Sequence, residues 1–362
     1  MKQNLKVFVT DCEGPISKND NAFELTSRFV PNGDRFFTLI SRYDDVLSDI
    51  VKKPGYKAGD TLRLILPFLK AYGATNGAMK EYSSQNILLV PGAGETLNFV
   101  RRIMPSFIVS TSYEHYIHAL CDAVGFPKEN VYCTRLNMDK YELDKEEIEK
   151  LKSLCEEILS MPIIEIPDSA NSLSDLPLES RNTVTRLNEI FWKEIPLMKA
   201  DKMLKDVNPV GGYEKANAIR DIAEKTGVDI SNIIYVGDSI TDVEPFQLVR
   251  KKGGVTVSFN GNRYAVREAE IAVMSPHTIV TSILAEVFCK LGKDSLMRLA
   301  ESWSLSNVRN VCSLQLFKKL ETLYLQNKPR VERVTPHNME RLTRESSAFR
   351  KTVRGEAVGR LG

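Results

Sequence analysis

Residues 5–14 read LKVFVTDCEG, a short apolar and β-branched run halted by Asp11, with a second acid, Glu13, one residue further on. The run has the pattern of a buried strand, with Asp11 exposed at its C-terminal end. Working outward, the same arrangement recurs. Phe107-Ile108-Val109-Ser110 follows the helix-like GETLNFVRRIM, and residues 232–236 (NIIYV) follow the helix-like YEKANAIRDIAEKTG and stop at Gly237-Asp238. Residues 254–259 (GVTVSF) end in Asn260-Gly261-Asn262, and residues 270–274 (EIAVM) form a fifth run. Strands alternating with helices predict βαβ units and a parallel sheet with helices on both faces. Ligands of such sheets bind beyond the C-terminal strand ends, where Asp11, Ser110 and Asp238 fall.

The fold class expected is therefore α/β, a Rossmann-like parallel sheet core, interrupted twice. Residues 17–84 lie between the first two strands, look mainly helical and are too long for a crossover, so they predict a helical cap. Residues 140–205 contain an amphipathic helix with Ile148, Leu151, Cys155 and Ile158 at spacings of three and four, then a polar Pro/Ser/Asn segment and a further helix. They predict a second helical insertion, its apolar stripe covering the sheet's flank or a neighbouring subunit. The core is then 1–16 with 85–290, followed by C-terminal helices over 291–325 and a basic, mobile tail over 326–362. No internal repeat is present.

Composition bounds the function. The chain has 362 residues, 43% hydrophobic and 27% charged, which is globular usage and excludes general disorder. Lys+Arg 49 against Asp+Glu 47 gives a formal net charge of +2, so overall charge does not argue for nucleic acid. Residues 326–362 carry 9 basic and 4 acidic residues, but lack the interleaved aromatics of a nucleic-acid surface. The apolar burst near the N-terminus is too short for a signal peptide, and no apolar stretch approaches the roughly 18 residues of a membrane span. The six cysteines lie scattered, without CxxC spacing, which fits reduced thiols and a cytoplasmic location.

Two segments carry the chemistry. Asp11 and Glu13, at i and i+2 where a strand becomes a loop, can face one small pocket, one as nucleophile and the other as proton carrier. Residues 233–242 (IIYVGDSITD) place Asp238 at a strand end and Asp242 one helical turn later, so that Asp238 can reach a metal while Asp242 steadies it. A hard ion such as Mg²⁺ needs only one or two carboxylates and keeps several waters. Each segment alone is an ordinary turn or helix cap; their combination is not.

With Ser110 at a strand end and Lys215 on a helix, the order becomes Asp-x-Glu, Ser, Lys, Gly-Asp-x-x-x-Asp. This resembles the haloacid dehalogenase-type phosphohydrolases, most closely their phosphoserine phosphatase-like branch. YEKANAIRDI around Lys215, the 23-residue step from Lys215 to Asp238, and VTVSFNGNRYAVREAEIAVMS add to the likeness, which covers the first strand and residues 85–290. The resemblance implies a Mg²⁺-dependent phosphatase acting on a small phosphorylated metabolite. Asp11 would attack phosphorus and form an aspartyl-phosphate. Glu13 would protonate the leaving oxygen and then activate water, and Ser110 would bind the transferring phosphoryl group. Lys215 would neutralise charge, and Asp11, Glu13 (through its carbonyl), Asp238 and Asp242 would form the metal site. A phosphate monoester is a dianion, so attack by a carboxylate needs such cations.

Departures from the family pattern stand beside these matches. Its usual second Asp is Glu13 here, and the Gly-Gly that follows the Ser in phosphoserine phosphatases is Thr111-Ser112. Where those enzymes read the substrate amine with a cap Glu, Asp20 stands, with Glu24 nearby; Asp20, Glu24, Arg28, Arg35, Thr111 and Ser112 are the candidate substrate contacts. The 105-residue step from Ser110 to Lys215 leaves the second insertion surplus to catalysis. The opening DCEGPISKNDNAFEL is also similar to archaeal proteins of the energy-converting hydrogenase A subunit R family, which implies an accessory subunit of a larger complex; a homo-oligomer is a further possibility. His115 and His118 lack a third metal ligand, and Cys12 has the character of a buried structural thiol.

Overall fold

The computed structural model describes residues 5–167, 169–325 and 328–359. Among these, seven strands form one sheet in the order β3-β2-β1-β4-β5-β6-β7. They are β1 (Val7–Thr10), β2 (Ser106–Tyr113), β3 (Val131–Thr134), β4 (Ile233–Gly237), β5 (Val255–Phe259), β6 (Ile271–Met274) and β7 (Arg330–Arg333). The first six are parallel, and β7 pairs antiparallel with β6. The α/β class and its parallel core are thus as the alternating runs predict. Two strands escape that reading, the edges β3 and β7.

Period-two alternation divides β1 between two cores. Val7 and Val9 join Val109, Ile233, Tyr235 and the helices Tyr213–Thr226 and Val243–Lys251, whereas Phe8 joins Val236, Val257, Phe259 and the helix Ile279–Glu301. Both faces are covered, as a parallel sheet requires. The chain runs outward from β1 to β3 and returns on the other side at β4, so the strand order reverses between β1 and β4. Register pairs Thr10 with Val236, and the Asp11 amide donates to Val236 O at 2.8 Å. Asp11 and Asp238 therefore emerge side by side at the crevice where α/β sheets bind ligands.

Residues 17–84 and 140–205 do not form separate bodies. The helices Asn21–Phe29, Gly33–Asp45 and Leu66–Ala71 share one apolar cluster with Lys145–Ser160 and Leu178–Glu189. The Phe191 ring lies 5.8 Å from that of Tyr43 and 6.1 Å from that of Phe68. The stripe of Leu151, Cys155 and Ile158 covers the cap rather than the sheet's flank, in one cluster with Phe36, Tyr43 and Phe68.

The tail reading needs correction. Residues 326–327 and 360–362 lie outside the described residues, but between them the segment is folded. Strand β7 closes the sheet edge with Val331 buried, and the helix Met339–Arg354 packs Leu342 against Val266, Ala272 and Met274. Its buried face, Leu342, Thr343, Ser346 and Arg350, is mostly polar and so leaves no hydrophobic stripe. No helix of the described residues is long and apolar enough to cross a membrane.

Candidate active site

Asp11 closes β1 with both carboxylate oxygens engaged. Oδ1 accepts the Cys12 amide at 2.6 Å, and Oδ2 accepts Lys215 Nζ at 2.6 Å. Burial pushes its carboxyl up to about 6, with Lys215 pulling the other way. Lys215 is fully buried, and the carboxylates of Asp11 and Asp242 outweigh the desolvation that opposes its charge. Its Nζ also donates to Asp242 Oδ1 at 2.8 Å, so one cation ties strand ends β1 and β4 together.

Asp242 lies in the short turn after β4. Its Oδ1 accepts Lys215 and the Tyr235 hydroxyl (2.6 Å), and its Oδ2 accepts the amides of Asp238 (2.8 Å) and Ser239 (3.0 Å). Four donors fill the lone-pair sites of a carboxylate. Gly237 makes this possible, since a Cβ there would lie 2.5 Å from Asp242 Cγ. Asp238 differs: its Oδ1 is buried without a hydrogen-bond partner. Carboxylate oxygens of Asp11, Asp238 and Asp242 lie within 4.8 Å of one another, among the described residues the one such cluster of acids, His or Cys. This donor set is all oxygen, which suits a hard divalent cation. With Asp242 saturated, Asp238 and Asp11 are the residues with ligand capacity, and Asp242 is a support.

Glu13 faces the same space from the loop after β1. Its Oε1 accepts the Asn21 amide at 2.7 Å, at the start of the first cap helix. Burial, then the negative charge of Asp20, hold its carboxyl well above the ordinary range against the Asn21 amide and Arg354. Gly14 adopts φ 108°, and a Cβ there would fall 2.1 Å from Asp238 Oδ2, so only glycine lets this loop cross the second acid.

These groups line a cavity of about 100 Å³ between sheet and cap. Asp11, Glu13, Asp20, Ser110, Thr111, Ser112 and Asp238 all contribute to its wall, with Lys215 and Asp242 buried behind it. Thr111 Oγ1 has no protein partner, and the Ser110 hydroxyl lies 3.3 Å from that of Ser112. Asp20 caps the first cap helix through the Phe23 amide at 3.0 Å.

Three candidate substrate contacts are placed elsewhere. Arg28 is exposed in the last turn of its helix and outside the cavity wall. Glu24 turns to Asn19, whose amide donates to it at 2.8 and 3.0 Å. Arg35 joins cap to insertion by donating to the carbonyls of Leu159 (3.0 Å) and Met161 (2.6 Å). Glu24 is a candidate through its nearness to the family's cap acid and the two arginines through their place in the cap, and neither says which helix face meets the sheet. Cys12 is buried in an apolar cluster with Tyr116 and Ile117, and burial pushes its thiol well up. His115 is bound to Asn76 at 3.1 Å.

Two residues of the site went unread. Arg350 and Arg354, from the last long helix, reach the cavity wall and pair with Asp238. A signal was present: both basic residues share one helix face, four apart, with Ser346 and Leu342 preceding them.

The profile of haloacid dehalogenase-like hydrolases matches residues 98–281, a span that holds Ser110, Lys215, Asp238 and Asp242. The chain belongs to the haloacid dehalogenase-like hydrolase family. Among solved structures, gene product AF1437 from Archaeoglobus fulgidus is 27% identical with a TM-score of 0.78, covering 99% of each chain. Phosphoserine phosphatase in its apo form is 13% identical with a TM-score of 0.44, covering 75% of this chain and 95% of that one. A phospho-aspartyl intermediate analogue of phosphoserine phosphatase is 13% identical with a TM-score of 0.45, covering 74% and 93%. No curated protein matches the chain.

Proposed function

We propose that the chain is a Mg²⁺-dependent phosphatase that hydrolyses a small phosphorylated metabolite through an aspartyl-phosphate on Asp11. The observation that carries this reading is the Asp11 carboxylate itself, fixed by Lys215 and the Cys12 amide at the mouth of β1, with Glu13 sharing its cavity. A small cavity favours a compact substrate, and its hydroxyl-lined side (Ser110, Thr111, Ser112) offers donors to phosphoryl oxygens.

In this reading Asp11 attacks phosphorus as the bond to the leaving oxygen breaks, and Lys215 offsets the negative charge that gathers on both partners. Glu13, whose carboxyl is held well above the ordinary range by burial and by the charge of Asp20, gives a proton to the leaving oxygen. The resulting carboxylate then takes a proton from the water that opens the aspartyl-phosphate. Mg²⁺, held by Asp11, Asp238 and the Glu13 carbonyl, would supply positive charge against the phosphate dianion.

The test is a screen of phosphorylated metabolites with Mg²⁺ beside an Asp11→Asn control. Asn is a poor nucleophile, so turnover should fall below about 1% of the parent chain while circular dichroism still reports a folded chain. Glu13→Gln should slow the breakdown of an acid-stable acyl-phosphate, seen with labelled substrate by rapid quench. Equal release of phosphate by the parent chain and Asp11→Asn would overturn the reading and leave the accessory-subunit alternative.

A further inference from the structure

The two oxygens of Asp238 have unlike surroundings. Oδ2 packs against Gly14 and takes two guanidiniums, Arg350 Nη1 and, at 3.3 Å, Arg354 Nη1. Oδ1 is buried and takes nothing. Both arginines are buried, with side chains 3% and 4% exposed, and both are fixed by further bonds. Arg350 also donates to Asp238 O at 3.2 Å, while Arg354 donates to Lys18 O at 3.1 Å and to Asn19 O. Ser346, one turn earlier on the same helix, donates to Gly261 O at 2.7 Å. The C-terminal helix is therefore bound to the loops after β1 and β4 through the same side chains that hold Asp238, and to the loop after β5 through Ser346.

A carboxylate free to rotate can present either oxygen to an ion, or both. One whose Oδ2 is saturated by guanidiniums presents a single oxygen in a single direction, as outer partners of metal ligands do. We propose that Arg350 and Arg354 are positioning residues for the cation ligand Asp238. They pin Oδ2 so that Oδ1 alone is offered to the divalent ion, and they make the C-terminal helix part of the active site. The inference rests on the reading of Asp238 as a cation ligand given above. A guanidinium is also a cation, so the opposite effect is physically available: arginines that compete with the ion would lower its affinity. The two effects have opposite signs, and a binding measurement separates them.

The experiment measures Mn²⁺ binding to the full chain by the electron-spin-resonance signal of the free ion, without substrate. Arg350→Ala should weaken binding ten- to hundredfold, on the order seen when an outer partner of a metal ligand is removed. Arg350→Lys, which restores a cation at Oδ2, should recover part of the loss, and the exposed Arg344→Ala on the same helix should bind as the parent does. If Arg350→Ala does not fold by circular dichroism, Arg354→Gln provides the same comparison with the side-chain stem kept. Unchanged or tighter Mn²⁺ binding in a folded variant overturns the proposal. Asp238→Asn is measured alongside. Full Mn²⁺ affinity there would sink the metal assignment itself, whereas loss in Asp238→Asn with unchanged Arg350→Ala would sink only the role of the arginines.

Discussion

Lys215 lies between Asp11 and Asp242 at 2.6 and 2.8 Å, with no exposure to solvent. Breaking such a buried group by removing one partner costs about 3–5 kcal/mol, because the remaining charges stay desolvated. Lys215→Met should therefore lose that much stability at pH 7.5 in urea denaturation. At pH 5 the stranded Asp11 carboxyl, which burial pushes up to about 6, can take up a proton, and the loss should be smaller; equal losses at both pH values would show that Asp11 gains no proton between them. Asp44 supplies a second test. Burial, reinforced by nearby Asp60, pushes its carboxyl up to about 8, although Tyr56 Oη and the Gly59 amide donate to it. Between the unfolded value near 3.8 and about 8, the native chain holds a proton that the unfolded chain has released. This contribution to stability is thus full at the acid end and is lost as pH rises, at about 1.4 kcal/mol per pH unit at the steepest. Asn does not titrate, so Asp44→Asn should gain on the parent chain in melting temperature from pH 5 to 8; a constant difference would show Asp44 ionised throughout. Asp11, Glu13, Lys215 and Asp238 were legible because strand ends and helix starts mark them in the sequence. Asp44 was not, since its cover comes from a loop with no local pattern.

Strands and helices were legible in proportion to the apolar residues they bury. β1, β2, β4, β5 and β6 are near-continuous apolar runs because both faces of the sheet are covered. β3 (VYCT) is as apolar as β1 and differs in lying at the sheet edge, where Tyr132 is half-exposed and its hydroxyl donates to Asp221, whereas β7 reads RVER with one apolar residue, so it resembles loop. The helix Met339–Arg354 hides for a related reason, its buried face being filled by Thr343, Ser346 and Arg350. Such a face docks by hydrogen bonds and ion pairs, and hydrophobic periodicity does not register them. The docking has a measurable cost of removal. A chain ending at 325 loses the buried Val331 and Leu342 and uncovers the edge of β6. At about 1.5–3 kcal/mol for each side chain, chemical denaturation should show a loss of about 3–6 kcal/mol. Mn²⁺ affinity should fall with it, because Asp238 loses both guanidiniums. An undiminished midpoint in the shortened chain would mean that the segment is dispensable, as a mobile tail would be.

At the scale of the molecule, the apolar residues divide between the cap with its insertion and the sheet with its flanking helices. Phe36, Phe68, Leu151, Leu187 and Phe191 belong to the first cluster, and Phe8, Val236, Val257 and Phe288 to a second. Sequence order conceals this division. The cap's two parts are interrupted by β2 and β3, and a stripe such as Leu151, Cys155 and Ile158 shows that something is covered without showing what. Only the folded chain brings residues 36 and 191 into one core. Polar groups bridge the two bodies, among them the Glu13 contact to the Asn21 amide and the Tyr264 hydroxyl's 3.0 Å bond to Asp49. Such bridges transmit less packing strain than an interlocked core does, since close-packed side chains leave no free volume to absorb a change. Phe191→Ala should then act locally. Truncating a buried Phe costs about 3–5 kcal/mol, here by opening a cavity beside Tyr43 and Phe68. In native-state hydrogen exchange, amides of the helices Gly33–Asp45, Lys145–Ser160 and Leu178–Glu189 should lose protection, while those of β1, β4 and β5 keep theirs. If the sheet amides lose protection by the same factor, cap and core unfold as one unit, and the polar bridges couple them as tightly as a shared core would.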